Sequence, residues 1–391
     1  MHVLERDERL KLDATCDLIL SDALEALAGF NGTLDTEQWR TLGQRDQLTT
    51  YRSVLATTGS KASKSPTMGS NGGGTLRILA TGHLNSSLAH VTSGLYSDTS
   101  LDYHAQQCIF YAAPSTSTYG ERKHSHNSDK DNLCPVIDAA VLYAAECESR
   151  RTPFRFAGVK WCAWRTKDSE RDLLAYERSG VTLDNEGREI TYHIIQSFDR
   201  PYALEFKFPP GLRRMKLSVC FLYREVCEDL VECFALGEYS AKGSGVSQRA
   251  EDTAVSDRIL TITKALSVYN AKRLSRLIEK NRYLPILMSK SCLRCGTRRT
   301  VFDQLRNCGI CKKSICRSCR KEKSIFQLNV DTKQPERDVF CAKCLLRANL
   351  PNTKPVSLET IKKNQERAGR ERSSSRGKSS TAESACIHAA H

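Results

Sequence analysis

Eight cysteines between Cys292 and Cys344 fall into four CxxC pairs, spaced C-x2-C-x12-C-x2-C-x4-C-x2-C-x21-C-x2-C. The pairs are Cys292/Cys295, Cys308/Cys311, Cys316/Cys319 and Cys341/Cys344. A CxxC turn presents two thiolates to one tetrahedral ion, and two such turns fill a closed structural zinc site. Four pairs therefore imply two structural Zn2+ ions. Only four residues separate Cys311 from Cys316, so the second and third pairs sit awkwardly on a shared ion. Interleaving relieves this. Cys292, Cys295, Cys316 and Cys319 then hold one zinc, and Cys308, Cys311, Cys341 and Cys344 hold the other. The competing reading is a disulfide framework or unrelated buried thiols. The nine remaining cysteines of the chain are scattered, as in a reducing cytosol, where regular CxxC pairs read as metal sites.

The spacing resembles that of the FYVE zinc finger, a cross-braced module with two zinc ions that docks on membranes carrying phosphatidylinositol 3-phosphate. A RING finger usually places a histidine among its middle ligands, and no histidine lies between Cys292 and Cys344. Parts of the FYVE pattern differ here. The basic R(R/K)HHCR motif around its third cysteine corresponds to Gln304-Leu305-Arg306-Asn307-Cys308-Gly309, in which only Arg306 is basic. Its WxxD motif corresponds to Tyr283 through Ile286, with an aromatic residue but no acid. Its RVC motif becomes Val339-Phe340-Cys341. The resemblance implies a loop between the first two pairs that dips Val301 and Phe302 into a bilayer, flanked by Arg298 and Arg299. It also implies phosphate contacts from Arg306 and its basic neighbours Lys312 and Lys313.

Charge is concentrated in the same region. The chain carries +14 overall, and residues 282–350 hold sixteen Lys and Arg against five Asp and Glu, or +11. Eight thiolates and two Zn2+ reduce this to +7, since a coordinating thiol is deprotonated. Lys312, Lys313, Arg317, Arg320, Lys321 and Lys323 crowd the central knuckles. The first 281 residues are nearly neutral at −1. A compact basic module beside a neutral one points to an anionic partner surface, and clustered Lys or Arg gain about 1 kcal/mol each near anionic lipid. Nucleic acid ranks below membrane as that partner, because no aromatic residues are interleaved with the basic ones for base stacking.

Residues 1–281 read as one substantial α+β domain. Helical spacing runs over 8–30 (Leu10, Leu12, Cys16, Leu18, Ile19, Leu24, Leu27). Residues 59–74 and 114–131 are polar loops by composition. A series of strands follows at 154–165, 173–181, 190–198, 215–225 and 230–239, and Asp184-Asn185-Glu186-Gly187 supplies hairpin chemistry. Then the period changes to one long helix over 252–280, striped by Ile259, Ile262, Leu266, Tyr269, Leu274, Leu277 and Ile278. This order of elements resembles the START lipid-transfer domain, in which a curved antiparallel sheet grips a C-terminal helix around an apolar tunnel. That resemblance implies a cavity for one sterol or phospholipid, or a site for a protein partner. The expected organisation is thus a START-like domain over 1–281, a FYVE-like finger over 282–350 and a disordered basic, Ser-rich tail over 351–391.

No catalytic motif is apparent: GxSxG, HExxH, a Gly-rich phosphate loop and a kinase set are all missing from the sequence. Closed sites of four cysteines leave no coordination position for a reactive water. The segment from Met1 to Arg9 is already charged, and no run of 18 apolar residues is present, so neither a secretory leader nor a membrane span is expected. The reading is a non-enzymatic, zinc-binding protein of the cytoplasm, peripheral to an anionic and, by resemblance, endosomal membrane. The rival readings are a protein-interaction adaptor, a RING-type ubiquitin ligase and a nucleic-acid binder. Zinc chelation is expected to unfold the finger and spare the rest.

Overall fold

The computed structural model describes residues 4–54, 74–112, 134–198, 209–240, 247–298 and 304–348. The loops expected at 59–74 and 114–131 lie outside the described residues, save Gly74, as does the tail at 351–391. The chain opens with α1 (Arg6–Gly29) and the strands β1 (Trp39–Arg45), β2 (Gln47–Ser53) and β3 (Thr75–Leu84). Two short helices follow, α2 (Leu88–Leu95) and α3 (Ser100–Tyr111). Then come β4 (Val136–Glu146), β5 (Phe156–Arg165), β6 (Glu170–Leu183), β7 (Glu189–Ser197), the two-residue β8 (Arg213–Arg214), β9 (Leu217–Cys227) and β10 (Leu230–Ser240). The domain closes with α4 (Gln248–Leu260) and α5 (Ala265–Lys280).

All ten strands join one sheet in the order β1-β2-β3-β10-β9-β7-β6-β5-β4, antiparallel throughout except for β8, which lies parallel to β6. The turn from β6 to β7 follows the chemistry expected of Asp184-Asn185-Glu186-Gly187. The Asp184 carboxylate accepts from the N–H groups of Glu186 and Arg188 at 2.9 Å each, and Gly187 takes the left-handed φ of 75°. Both faces of the sheet are covered. One face buries Val159, Trp161, Ala163, Tyr176 and Phe234 against Cys16 and Ala23 of α1. The other buries Cys162, Trp164, Val219, Phe221 and Ala235 against α2, α3, α4 and α5. Every residue of β5 but Arg165 is consequently buried, which gives a near-continuous apolar strand in place of a clean alternation.

Two features depart from the sequence reading. The chain ahead of residue 147 contributes four strands, β1 to β4, and two helices, α2 and α3, that hydrophobic periodicity did not reveal. The long helix is broken: Thr261–Lys264 form a 3-10 turn between α4 and α5. Thr261 and Thr263 each donate their hydroxyl to a carbonyl three residues earlier, Arg258 and Leu260, at 2.8 and 2.9 Å. Such back-bonding, with β-branched crowding at Thr261, Ile262 and Thr263, favours the tighter turn.

Where α2 meets α5, Gly94 is required. A Cβ at that position would lie 2.0 Å from the Ala265 carbonyl oxygen. Gly94→Val is therefore expected to push α5 off α2 and lower unfolding stability by about 1–3 kcal/mol in urea titration. An unchanged midpoint would show that the contact is not tight.

Candidate functional site

Beyond α5 the chain forms small antiparallel pairs, β11 (Arg306–Asn307) with β12 (Ser314–Ile315) and β13 (Arg320–Leu328) with β14 (Pro335–Cys341), closed by α6 (Ala342–Arg347). The first two CxxC turns are built alike. The residue after the second cysteine, Gly296 or Lys312, donates its N–H to the carbonyl of the first at 2.9 or 2.8 Å and takes a left-handed φ of 77° or 57°. Glycine adopts that backbone freely, whereas a lysine does so only when the surroundings hold it there.

These turns gather the sulfurs into two interleaved groups. The Sγ atoms of Cys292, Cys295, Cys316 and Cys319 lie within 4.8 Å of one another, and so do those of Cys308, Cys311, Cys341 and Cys344. Sulfurs at the corners of a tetrahedron around Zn2+, with Zn–S near 2.3 Å, stand about 3.8 Å apart. Cys295 and Cys316 are 3.5 Å apart, and Cys311 and Cys341 are 3.9 Å apart. All cysteines among the described residues are free thiols, so no disulfide competes there. Either group of four could hold a metal ion, and the all-sulfur donor set is consistent with zinc.

Donors from outside the two groups also reach the sulfurs. The N–H of Cys341 donates to Cys308 Sγ at 3.3 Å, and that of Cys344 to Cys341 Sγ at 3.4 Å. Arg294 sits inside the first CxxC turn yet reaches the other group, with Nη2 3.1 Å from Cys341 Sγ and 3.9 Å from Cys311 Sγ. It ties the two centres together and offsets thiolate charge. Sequence reading passed over Arg294; a cation between two ligand cysteines was the available signal.

The residues expected to meet lipid are only partly in view. Arg299, Val301 and Phe302 lie outside the described residues. Arg298 is exposed just after the first knuckle, and Arg306 is exposed on β11. Lys312 and Lys313 are half-buried on the turn beside it.

The finger is packed onto the sheet domain. Leu274 of α5 belongs to the finger's own apolar cluster with Ile315, Ile325 and Phe340, and Ile278 packs beside it. Phe326 and Leu328 of β13 in turn pack against the sheet core. The Phe326 N–H donates to Ser275 Oγ at 2.8 Å, Arg273 Nε donates to the Ala348 carbonyl at 2.5 Å, and the Cys134 N–H donates to Gln334 Oε1 at 3.2 Å. This packing revises the expectation that chelation spares the sheet domain, because α5 would lose neighbours on one side.

Between the sheet and α3–α4 lies a small, partly open space whose lining includes Tyr103, Gln107, Glu177, His193, Phe221 and Arg258. Its free volume is about 20 Å3, room for one water molecule. Leu95, Phe110, Ile195, Leu217, Ile259 and Ile262 line it as well, so its walls are mostly apolar, and it is far smaller than the lipid tunnel that the START resemblance implies. Lys160 and Glu177 form a buried ion pair at 2.8 Å, and His193 Nε2 lies 3.4 Å from the same carboxylate. Arg258 donates to Gln107 at 2.5 Å. Burial works against charge on Glu177, but the Lys160 ammonium and His193 outweigh it and hold the carboxyl well below its usual range. Cys162 behaves as a core residue, its thiol pushed up to about 12 by burial.

No protein-family model matches the chain, and no curated protein matches it. Among solved structures it is similar to human StAR-related lipid transfer protein 5, at 11% identity and TM-score 0.35, over 65% of this chain and 96% of that one. It is similar also to the human StarD13 (DLC2) lipid transfer and protein localization domain, at 10% identity and TM-score 0.35, over 65% and 95%. A third similarity is to a fragment of a STAR-related lipid transfer protein from Xanthomonas axonopodis, at 10% identity and TM-score 0.33, over 58% and 96%. Likeness at this level identifies no ligand and no activity.

Two outcomes are expected from these sites. Metal analysis of the purified chain should find two zinc ions, and Cys308→Ser should lose the ion of its own group first; a metal-free chain with a folded finger would refute the assignment. Lys160→Met should cost about 3 kcal/mol or more in denaturant titration, because it strands the buried Glu177 charge. The Glu177 carboxyl is depressed on folding, so its stabilisation is present above its ordinary value of 4.5 and is lost as pH falls below that. Glu177→Gln should accordingly flatten the loss of melting temperature in acid.

Proposed function

We propose that this chain is a non-enzymatic protein with two structural zinc ions, whose FYVE-like finger docks the START-like domain on an anionic membrane. The carrying observation is the pair of interleaved four-sulfur groups beneath a surface dense in Lys and Arg. Such a finger needs metal to fold, leaves no coordination position for catalysis, and presents a compact positive charge to its partner. Phosphatidylinositol 3-phosphate is the finer assignment, and an endosomal membrane follows from it. Arg306, Lys312 and Lys313 share one corner of the finger and offer charge for its phosphates. The START-like domain is assigned a lipid or protein ligand. A lipid in the small space beside them would require α3 and α4 to move outward, since it holds only a water-sized volume.

A second reading, a protein-interaction adaptor, is favoured by the run Gln304 to Gly309, where Arg306 is the single basic residue. Vesicle co-sedimentation of the full chain separates the two. Against vesicles containing phosphatidylserine, the membrane reading expects binding that weakens as salt rises. At matched charge, stronger binding to phosphatidylinositol 3-phosphate is expected. Equal binding would leave a charge-driven anchor without lipid selectivity, and no binding to either would turn the assignment to the adaptor.

A further inference from the structure

Between α5 and the first CxxC turn the chain runs Tyr283-Leu284-Pro285-Ile286-Leu287-Met288, apolar at every position and exposed along its length. Tyr283, Ile286 and Met288 are 85%, 60% and 82% accessible. Single exposed apolar residues are ordinary, but a contiguous strip of them marks an interaction surface. The strip is held in place by the finger. The Leu287 N–H donates to the Lys312 carbonyl at 3.2 Å, the Ser314 hydroxyl donates to the Leu287 carbonyl at 3.1 Å, and Leu287 pairs with Lys313 as a parallel bridge. Asn307, on β11 next to Arg306, places its amide 3.8 Å from Met288 Sδ. At the other end Arg282 lies over the Tyr283 ring at 4.7 Å.

These contacts set the strip beside a one-sided charge. From 280 to 321 the sequence carries twelve basic residues and one acidic residue, Asp303. Among the described residues, Lys290, Arg306, Lys312 and Lys313 have no carboxylate partner. We propose that residues 283–288 form an apolar wedge that enters the headgroup layer of an anionic bilayer, while Lys290, Arg306, Lys312 and Lys313 meet the lipid charges around it. The inference rests on the membrane-docking reading above and names residues for it other than Val301 and Phe302. A second copy of this chain is a poor occupant, because it would bring the same positive field against this one. An anionic bilayer satisfies both parts at once: apolar side chains and an aromatic ring settle at the interface, and long basic side chains lay their stems along it with their charges outward.

The test uses the full zinc-loaded chain with vesicles of phosphatidylcholine and phosphatidylserine, and with phosphatidylcholine alone. Ile286→Asp with Met288→Asp should weaken binding to the mixed vesicles about tenfold or more. Zinc content and the melting curve should be unchanged, since both side chains are exposed. Lys312→Gln with Lys313→Gln should weaken binding and flatten its salt dependence. Met288→Trp should gain fluorescence that brominated acyl chains quench. Parent binding that survives the double aspartate change, with no quenching at position 288, would overturn the wedge and leave the membrane reading standing. A parent that binds no vesicles would overturn both. Self-association abolished by the same aspartates, without vesicle binding, would replace the bilayer with a second copy.

Discussion

Everything in this architecture leans on α5, because one helix serves two cores. Its N-terminal residues Ala265, Val268 and Ala271 pack into the sheet core, while Leu274 belongs to the finger's cluster. The finger is too small to stand on apolar burial. Apart from its cysteines, its fully buried cluster comprises Ile315, Ile325, Phe340 and the borrowed Leu274. Small domains of this kind need a staple, and structural zinc supplies on the order of 10 kcal/mol or more per site in isolated fingers. On the proposed function, metal, finger and α5 form a chain of dependence in which each link would order the next.

That dependence bears on how a membrane signal would reach the sheet domain. The proposed bilayer-facing strip at 283–288 begins just after α5 ends at Lys280. Elsewhere in the finger, Phe326 bonds Ser275 of α5, and Gln334 bonds the backbone at Cys134 ahead of β4. α4, which lines the water-sized space, leads in sequence through the 3-10 turn and α5 to the strip proposed to touch lipid. The lining of that space is mostly apolar (Leu95, Phe110, Ile195, Leu217), with Glu177, His193 and Arg258 among it, and Lys160 pairs with Glu177. The Lys160–Glu177 pair joins neighbouring strands β5 and β6, and a buried pair of this kind is weak evidence for stability but costly to break.

Much of this was legible in the residues, for physical reasons that differ by region. The CxxC spacing dictated which sulfurs meet, since short turns leave few ways to close two tetrahedra. Val159, Trp161 and Ala163 alternated onto one face of β5, and Asp184 to Gly187 carried its own turn chemistry. What stayed hidden depended on tertiary context. The strands β1 to β3 have half-polar sequences such as Gln47–Ser53 that take their form from neighbouring strands. The break at Thr261 was masked by an apolar stripe that continues through it. The two-sided burial of the sheet, by α1 and by α2 to α5, blurred the strand pattern. Arg294 carried a signal, a cation between two ligand cysteines, but the contact with Cys341 that gives it a role forms only in the folded chain.

The central claim is that metal in the finger orders α5 and, through it, the sheet domain. Amide hydrogen exchange of the full chain, with and without a zinc chelator, tests this directly. The account predicts that protection is lost over residues 265–280 together with 304–348 when zinc is removed. Exchange that rises in the finger alone, with α5 as protected as before, would contradict it.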